Sequence, residues 1–288
     1  MRKLNIVAVA LVVAAMVAGS AFAHTGEQKY MFQFPAGLEP TLDGDLSDWD
    51  FVPEVYRNRG ADMFNQYGAP LDLADFNSLT MWGYSKSTGL AYFAFWVADD
   101  ALNSTEKWST TTDWDHSGGI FRGFPDANDE FLARWSGAQA QRYDIAAPIF
   151  SSSGYYTKNN YTAWAGVSPY VEWGGQFLKG EVDTQEPAEM QGEASMMPFD
   201  EIHPDGFDGS RVHIFEENQI IGLEQNWGDK DADPGSYDDA YWSHFGGIGA
   251  SKDADKFGDV LLAPVEPGLP TAVASSTWGQ IKSSFTME

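Results

Sequence analysis

Between Gly89 and Asp100 the chain reads Gly-Leu-Ala-Tyr-Phe-Ala-Phe-Trp-Val-Ala-Asp-Asp, and no other stretch narrows the choice of folds so much. Aromatic and aliphatic residues of this kind favour a strand. Strand side chains alternate between faces, so Ala91, Phe93, Phe95 and Val97 share one side. Leu90, Tyr92, Ala94 and Trp96 share the other. Both sides are apolar, so both must be covered, which places the strand inside a sandwich and not at a wet edge. Two carboxylates end it. The residues that follow, 99–119, read as a long polar loop with Asp113, Asp115 and Ser117, a scaffold for a metal or a ligand at one rim.

The chain begins with a leader. Arg2-Lys3 precedes an apolar run from Ile6 to Val17, and Ala21-Phe22-Ala23 forms a small-residue cleavage site. Residues 1–23 are therefore expected to be a signal peptide, and the mature protein to be secreted or periplasmic. No later segment is apolar and long enough for a transmembrane helix. Cysteine is absent, which excludes disulfides, thiolate metal sites and c-type haem attachment.

Lys and Arg number 17 against 42 Asp and Glu, a net charge of −25 that becomes −27 once Arg2 and Lys3 leave with the signal. Such a chain repels nucleic acid and anionic lipid. Dense carboxylates favour a divalent cation between them, with calcium first, although a solubilising acidic surface accounts for the charge as well. Aromatic residues at 15% and 29 glycines point to strands joined by many turns. The expected class is all-β, an antiparallel β-sandwich with long loops and little helix.

Strand-like runs recur at Tyr30–Phe34, Leu79–Tyr84, Glu130–Trp135, Tyr143–Phe150, Tyr170–Val182, Glu189–Pro198 and Lys256–Ala263. Arg211–Asn226 reads as a hairpin turning near Glu217-Asn218. Only Ala61–Tyr67 and Thr277–Phe285 have short helical patterns. Pro264-Val-Glu-Pro-Gly-Leu-Pro270 is a stiff linker that ends a domain over 24–265. It leaves 266–288 as linker and C-terminal tail, which could dock on the protein itself or on cell-surface components.

Several motifs stand in a telling order. Leu42-Asp-Gly-Asp-Leu-Ser-Asp-Trp49 comes first, then Ala91-Tyr-Phe-Ala-Phe-Trp-Val-Ala-Asp-Asp100. Asp113-Trp-Asp-His-Ser-Gly-Gly119, Met197-Pro-Phe-Asp200 and Gly258-Asp-Val-Leu-Leu262 follow. Together they resemble the DOMON-like superfamily, in particular its family 9 carbohydrate-binding-module type, over most of the chain. The resemblance implies a sandwich of immunoglobulin-like layers that binds polysaccharide or glycan at its surface, and in some branches haem.

Sugar binding calls for exposed aromatic rings, because a pyranose presents a face of C–H groups that stacks on them. Trp96 is the best placed, with Tyr92 on the same face; Trp114, Trp173 and Trp227 stand beside glycine or acidic residues. For calcium the sharpest pattern is Asp229, Asp231, Asp233 and Asp238, carboxylates at near-alternate positions with Gly235 to turn the chain. It departs from an EF-hand, having Pro234 at the sixth position and Ala240 at the twelfth. Asp113, Asp115 and Ser117 make a second candidate, which Asp99 or Asp100 could complete. Asp43, Asp45 and Asp48 read as turn and cap residues.

No nucleophile elbow, nucleotide-binding glycine loop or HExxH helix is present, so the expected function is non-catalytic carbohydrate binding. The alternative is a surface-assembly protein, a coat or filament component. Two minor readings remain. His24 at the mature N-terminus could bind copper with His116, His203, His213 or His244 as in an oxygenase, and a haem-binding electron-transfer domain would draw on Met63, Met81, Met196 or His213.

Overall fold

The computed structural model describes residues 28–68, 70–104, 106–116, 140–146, 153–155, 164–203, 206–230, 240–245 and 253–269. The expected leader with His24, the expected strand at 130–135, Ser117, Asp231, Asp233, Asp238 and the tail 270–288 lie outside them.

The strands are β1 (Lys29–Gln33), β2 (Arg57–Arg59), β3 (Phe64–Asn65), β4 (Phe76–Ser85) and β5 (Leu90–Asp99). Next come β6 (Lys107–Asp113), β7 (Gln141–Ala146), β8 (Ser153–Tyr155), β9 (Val171–Lys179) and β10 (Ala188–Met196). The last are β11 (Phe199–Glu201), β12 (Arg211–Val212), β13 (Ile220–Asp229), β14 (Ala240–Ser243) and β15 (Gly258–Leu262). Among the described residues the only helices are 3-10 turns of three or four residues, so the all-β expectation holds. No described helix is long and apolar enough to cross a membrane.

Two layers face each other. In the first, β8-β7-β6-β13-β15 pair in that order, with β14 beside β13 and β3 beside β14. In the second, β4-β5-β10-β9 run side by side, with β2 against β4. β1 closes the seam: Lys29–Met31 pair in parallel with β15, and Phe32–Gln33 pair in parallel with β4.

β5 lies where its pattern placed it, antiparallel between β4 and β10. Ala91, Phe93, Phe95 and Val97 enter the main core, where Phe95 stacks on Trp108 of the facing layer at 5.2 Å. Phe76 of β4 stacks on Trp242 of β14 at 6.0 Å and 9°, so flat rings span the gap between the layers. The opposite side of β5 meets a second, smaller core in which Tyr92 and Ala94 pack with Phe32, Phe34, Trp49 and Tyr56.

Three local expectations fail. Lys107–Asp113, read as loop, is a strand in the middle of the first layer, with Thr110, Thr111 and Thr112 wholly buried. Threonine is polar by composition, but its branched Cβ suits a pleated surface. The expected hairpin over 211–226 is two separate elements. Arg211–Val212 pairs with β11, and β13 pairs with β6, β14 and β15. The helical pattern at 61–67 is a 3-10 turn, Gly60–Asp62, followed by β3.

Candidate functional site

Alternation along three neighbouring strands sets a patch of polar groups, most of them buried, on the side of the first layer away from the main core. On β13, Ile221, Leu223 and Trp227 enter the core, so Glu224 and Asn226 face outward. On β6, Trp108 points in and Ser109 and Thr111 point out; on β7, Tyr143 points in and Arg142 and Asp144 point out. Register then aligns Glu224, Thr111 and Arg142 in one row and Asn226, Ser109 and Asp144 in the next. With strands about 4.8 Å apart, each row spans roughly 10 Å.

Arg142 Nε donates to Asp144 Oδ1 at 2.8 Å, and its Nη2 donates to Ser109 Oγ at 3.0 Å and to the Tyr241 hydroxyl at 3.4 Å. Ser109 Oγ donates to Asp144 Oδ1 at 2.7 Å. Burial opposes the guanidinium charge, yet Asp144 overrides it and lifts the Arg142 pKa above its ordinary value. Gln66 Nε2 donates to Glu224 Oε1 at 3.1 Å. Asn226 differs from these. It is 1% exposed, and among the described residues neither its amide nitrogen nor its oxygen has a hydrogen-bond partner; the buried Thr111 hydroxyl also has none there. Each such unmet group costs about 1–3 kcal/mol in a folded protein.

The rim of this surface is aromatic. Tyr241 on β14 stacks with Tyr67 at 6.1 Å and 27°, and Tyr67 is 64% exposed. A charged fork, an amide with both ends unmet, a hydroxyl and a tyrosine platform within a few residues suit a ligand with many hydroxyls and a C–H face.

Of the five aromatic residues expected to be exposed, Tyr92, Trp114 and Trp227 are corrected: each is at most 4% exposed. Trp114 Nε1 donates to Gln141 Oε1 and Trp227 Nε1 to Glu106 Oε2, partners remote in sequence that hold both rings inside. Trp96 and Trp173 are half-buried, but on opposite faces of the second layer. Trp173 packs against the main core and lines an open cleft at the β9 edge with Leu42, Val167, Val171 and Glu172. Trp96 lies on the outer face.

The acidic residues also regroup. Asp229 comes together with Asp99 and Glu106, one oxygen from each lying within 4.8 Å of the others. All three are at most 4% exposed. Ala101 N donates to Asp99, Asn103 N and Trp227 Nε1 to Glu106, and Trp242 Nε1 to Asp229. Burial, and then the Asp99 charge, pushes the Glu106 pKa well above the carboxylate range. Hard oxygen donors at this density suit a calcium-like ion. Of the expected set of Asp113, Asp115 and Ser117, Ser117 lies outside the described residues. Asp113 is buried at the end of β6, while Asp115 is exposed with Oδ2 3.9 Å from Arg211.

Asp43, Asp45 and Asp48 do serve turns and caps, accepting from Asp45 N, Ser47 N and Thr41 N. Their loop lies flat on β9, where a Cβ at Gly44 would come within 2.6 Å of Gly175 Cα; Gly44 also has φ +82°, which glycine tolerates. Glu193 on β10 holds the loop, accepting from Trp49 Nε1 at 2.7 Å and Gly44 N at 3.1 Å. Burial raises its pKa to about 7, although both donors act against the rise.

Layers and register define an all-β sandwich. Comparison with solved structures agrees on the fold. A family 9 carbohydrate-binding module from Caldicellulosiruptor kristjanssonii, in complex with cellotriose, superposes with a TM-score of 0.54 at 13% identity, over 87% of this chain and all of that one. The same kind of module in complex with glucose gives 0.50 at 12% identity, over 84% and 99%. No family model and no curated protein matches the chain.

Proposed function

We propose that this protein is an exported, non-catalytic carbohydrate-binding domain that holds neutral sugar on the outer face of its first layer. The observation that carries this reading is Asn226, a buried amide with both ends unmet, set beside Thr111, the Arg142–Asp144 pair and the Tyr67–Tyr241 platform. Asn226 is 1% exposed, so the groups over it would part on binding; hydroxyl groups of a pyranose would then supply the missing partners, and the tyrosines would take its C–H face. The ligands of the two similar structures, cellotriose and glucose, make β-linked glucose oligomers the first probes. Calcium is the proposed structural cofactor, held by Asp99, Glu106 and Asp229 with backbone or solvent oxygens completing its shell.

Asn226→Leu is the decisive variant. Leucine is similar in size and has no polar atoms to satisfy, so stability should hold or rise by about 1–3 kcal/mol. Affinity for glucose oligomers should meanwhile drop at least tenfold. Tyr67→Ala, on the surface, should also weaken binding about tenfold and leave stability within about 0.5 kcal/mol. Calorimetric titration and denaturant melts of the full chain give both quantities. If neither variant changes the affinity measured for the wild type, the sugar does not sit on this face.

A further inference from the structure

The second layer has an open face of its own. Register aligns Arg59 on β2, Leu79 on β4, Trp96 on β5, Gln191 on β10 and Gln176 on β9 in one row across it. At about 4.8 Å per strand this row is roughly 19 Å long. Its neighbours toward the Met81–Ala94–Glu193 side are sealed under the loop that carries Trp49, but the row itself is part exposed throughout.

Its chemistry is organised. Gln191 Nε2 and Gln176 Nε2 both donate to the Gly44 carbonyl, at 2.7 and 2.9 Å. One carbonyl therefore engages the Nε2 of two adjacent amides and leaves each Oε1 as an acceptor, with Gln191 one strand from Trp96 and Gln176 two. The row's cation, Arg59, is already paired with Glu54 at 2.7 Å, and the chain as a whole is strongly acidic. Anionic ligands are thus disfavoured, and a neutral chain offering hydroxyl donors and C–H faces fits.

We infer that this row is a second binding site for neutral glycan, on the opposite side of the sandwich from Asn226, and that one molecule can bridge two glycan chains. The class of ligand rests on the carbohydrate reading above; the site does not. It would make the protein a cross-linker by bivalency, not a simple anchor.

The test uses the full chain with calcium present, cellohexaose in calorimetric titrations, and turbidity of a soluble mixed-linkage β-glucan. The wild type should take up two equivalents of cellohexaose and render the polymer turbid. Trp96→Ala should weaken the second equivalent at least tenfold and abolish the turbidity. Trp96→Leu, which keeps apolar bulk but no flat ring, guards against a folding defect and should behave the same with an unchanged melting temperature. Asn226→Leu should leave one equivalent, and the double variant none. A single equivalent in the wild type, lost in Asn226→Leu, overturns the second site while leaving the first. Two equivalents that survive both Trp96 variants also overturn it, and no binding by the wild type sinks both readings.

Discussion

Trp49→Ala should lower the unfolding free energy by about 3–5 kcal/mol, an extreme value for one substitution. Trp49 is fully buried, with Phe34 edge-on at 4.9 Å, and it caps the outer face of the second layer. Its removal leaves a cavity and also strips Glu193 of a donor. Trp49→Phe separates the two effects: bulk is kept, the N–H is lost, and the cost above pH 7, where Glu193 is charged, should be about 1.5–3 kcal/mol. Glu193 adds a pH signature. Because its folded pKa is raised from 4.5 to about 7, the native state binds the proton more tightly than the unfolded chain. Its contribution to stability is complete below about pH 4.5 and is lost as pH rises through 7. Denaturant midpoints measured across that window should fall for the wild type and fall less for Glu193→Gln. Parallel curves for the two proteins would mean that Glu193 does not titrate as a buried carboxyl.

Calcium should raise stability by about 2.7 kcal/mol at a hundredfold excess over its dissociation constant, and chelation should remove that gain. Asp99, Glu106 and Asp229 place up to three negative charges in a dry pocket, where repulsion at a few ångströms is strong. Asp229→Ala should abolish the calcium-dependent part of the melting temperature. Magnesium should restore little, since it demands octahedral geometry and keeps its waters. Superimposable melting curves in chelator and in millimolar calcium would remove the ion from the account.

The fold was legible where apolar patterning was strong. The double-sided β5 pattern, the early Leu42–Trp49 motif and the closing Gly258–Leu262 strand all fall where their residues place them. The site was legible only in part. β6 reads Lys-Trp-Ser-Thr-Thr-Thr-Asp, which carries no apolar alternation, so the middle strand of the polar patch passed for loop. A signal was present in the three successive β-branched threonines. Exposure of tryptophan was misjudged because polar neighbours in sequence do not fix where the ring goes: Trp227 precedes Gly228 and Asp229, yet its ring enters the main core and its N–H is bonded to Glu106. Glu106 was missed as a member of the acidic group because nothing in the sequence brings it to Asp229. The pairing of β6 with β13, Lys107 against Gly228, does so.

β1 has a kinetic consequence. Met31 pairs with Leu262 and Phe32 with Gly83, and Tyr84 Oη donates to the Ala263 carbonyl at 2.6 Å, so one short strand depends on partners from the far end of the chain. Contacts of such sequence separation make folding slow, because a very long loop must close before they form. During synthesis the second layer can assemble early, but the seam stays open until residue 262 emerges. Until then β1 is a half-paired edge able to recruit a neighbouring chain. Pulsed hydrogen exchange during refolding should therefore show amides of β1 and β15 gaining protection together, after those of β4, β5 and β10. Simultaneous protection of all five would mean that the seam closes with the rest of the sandwich.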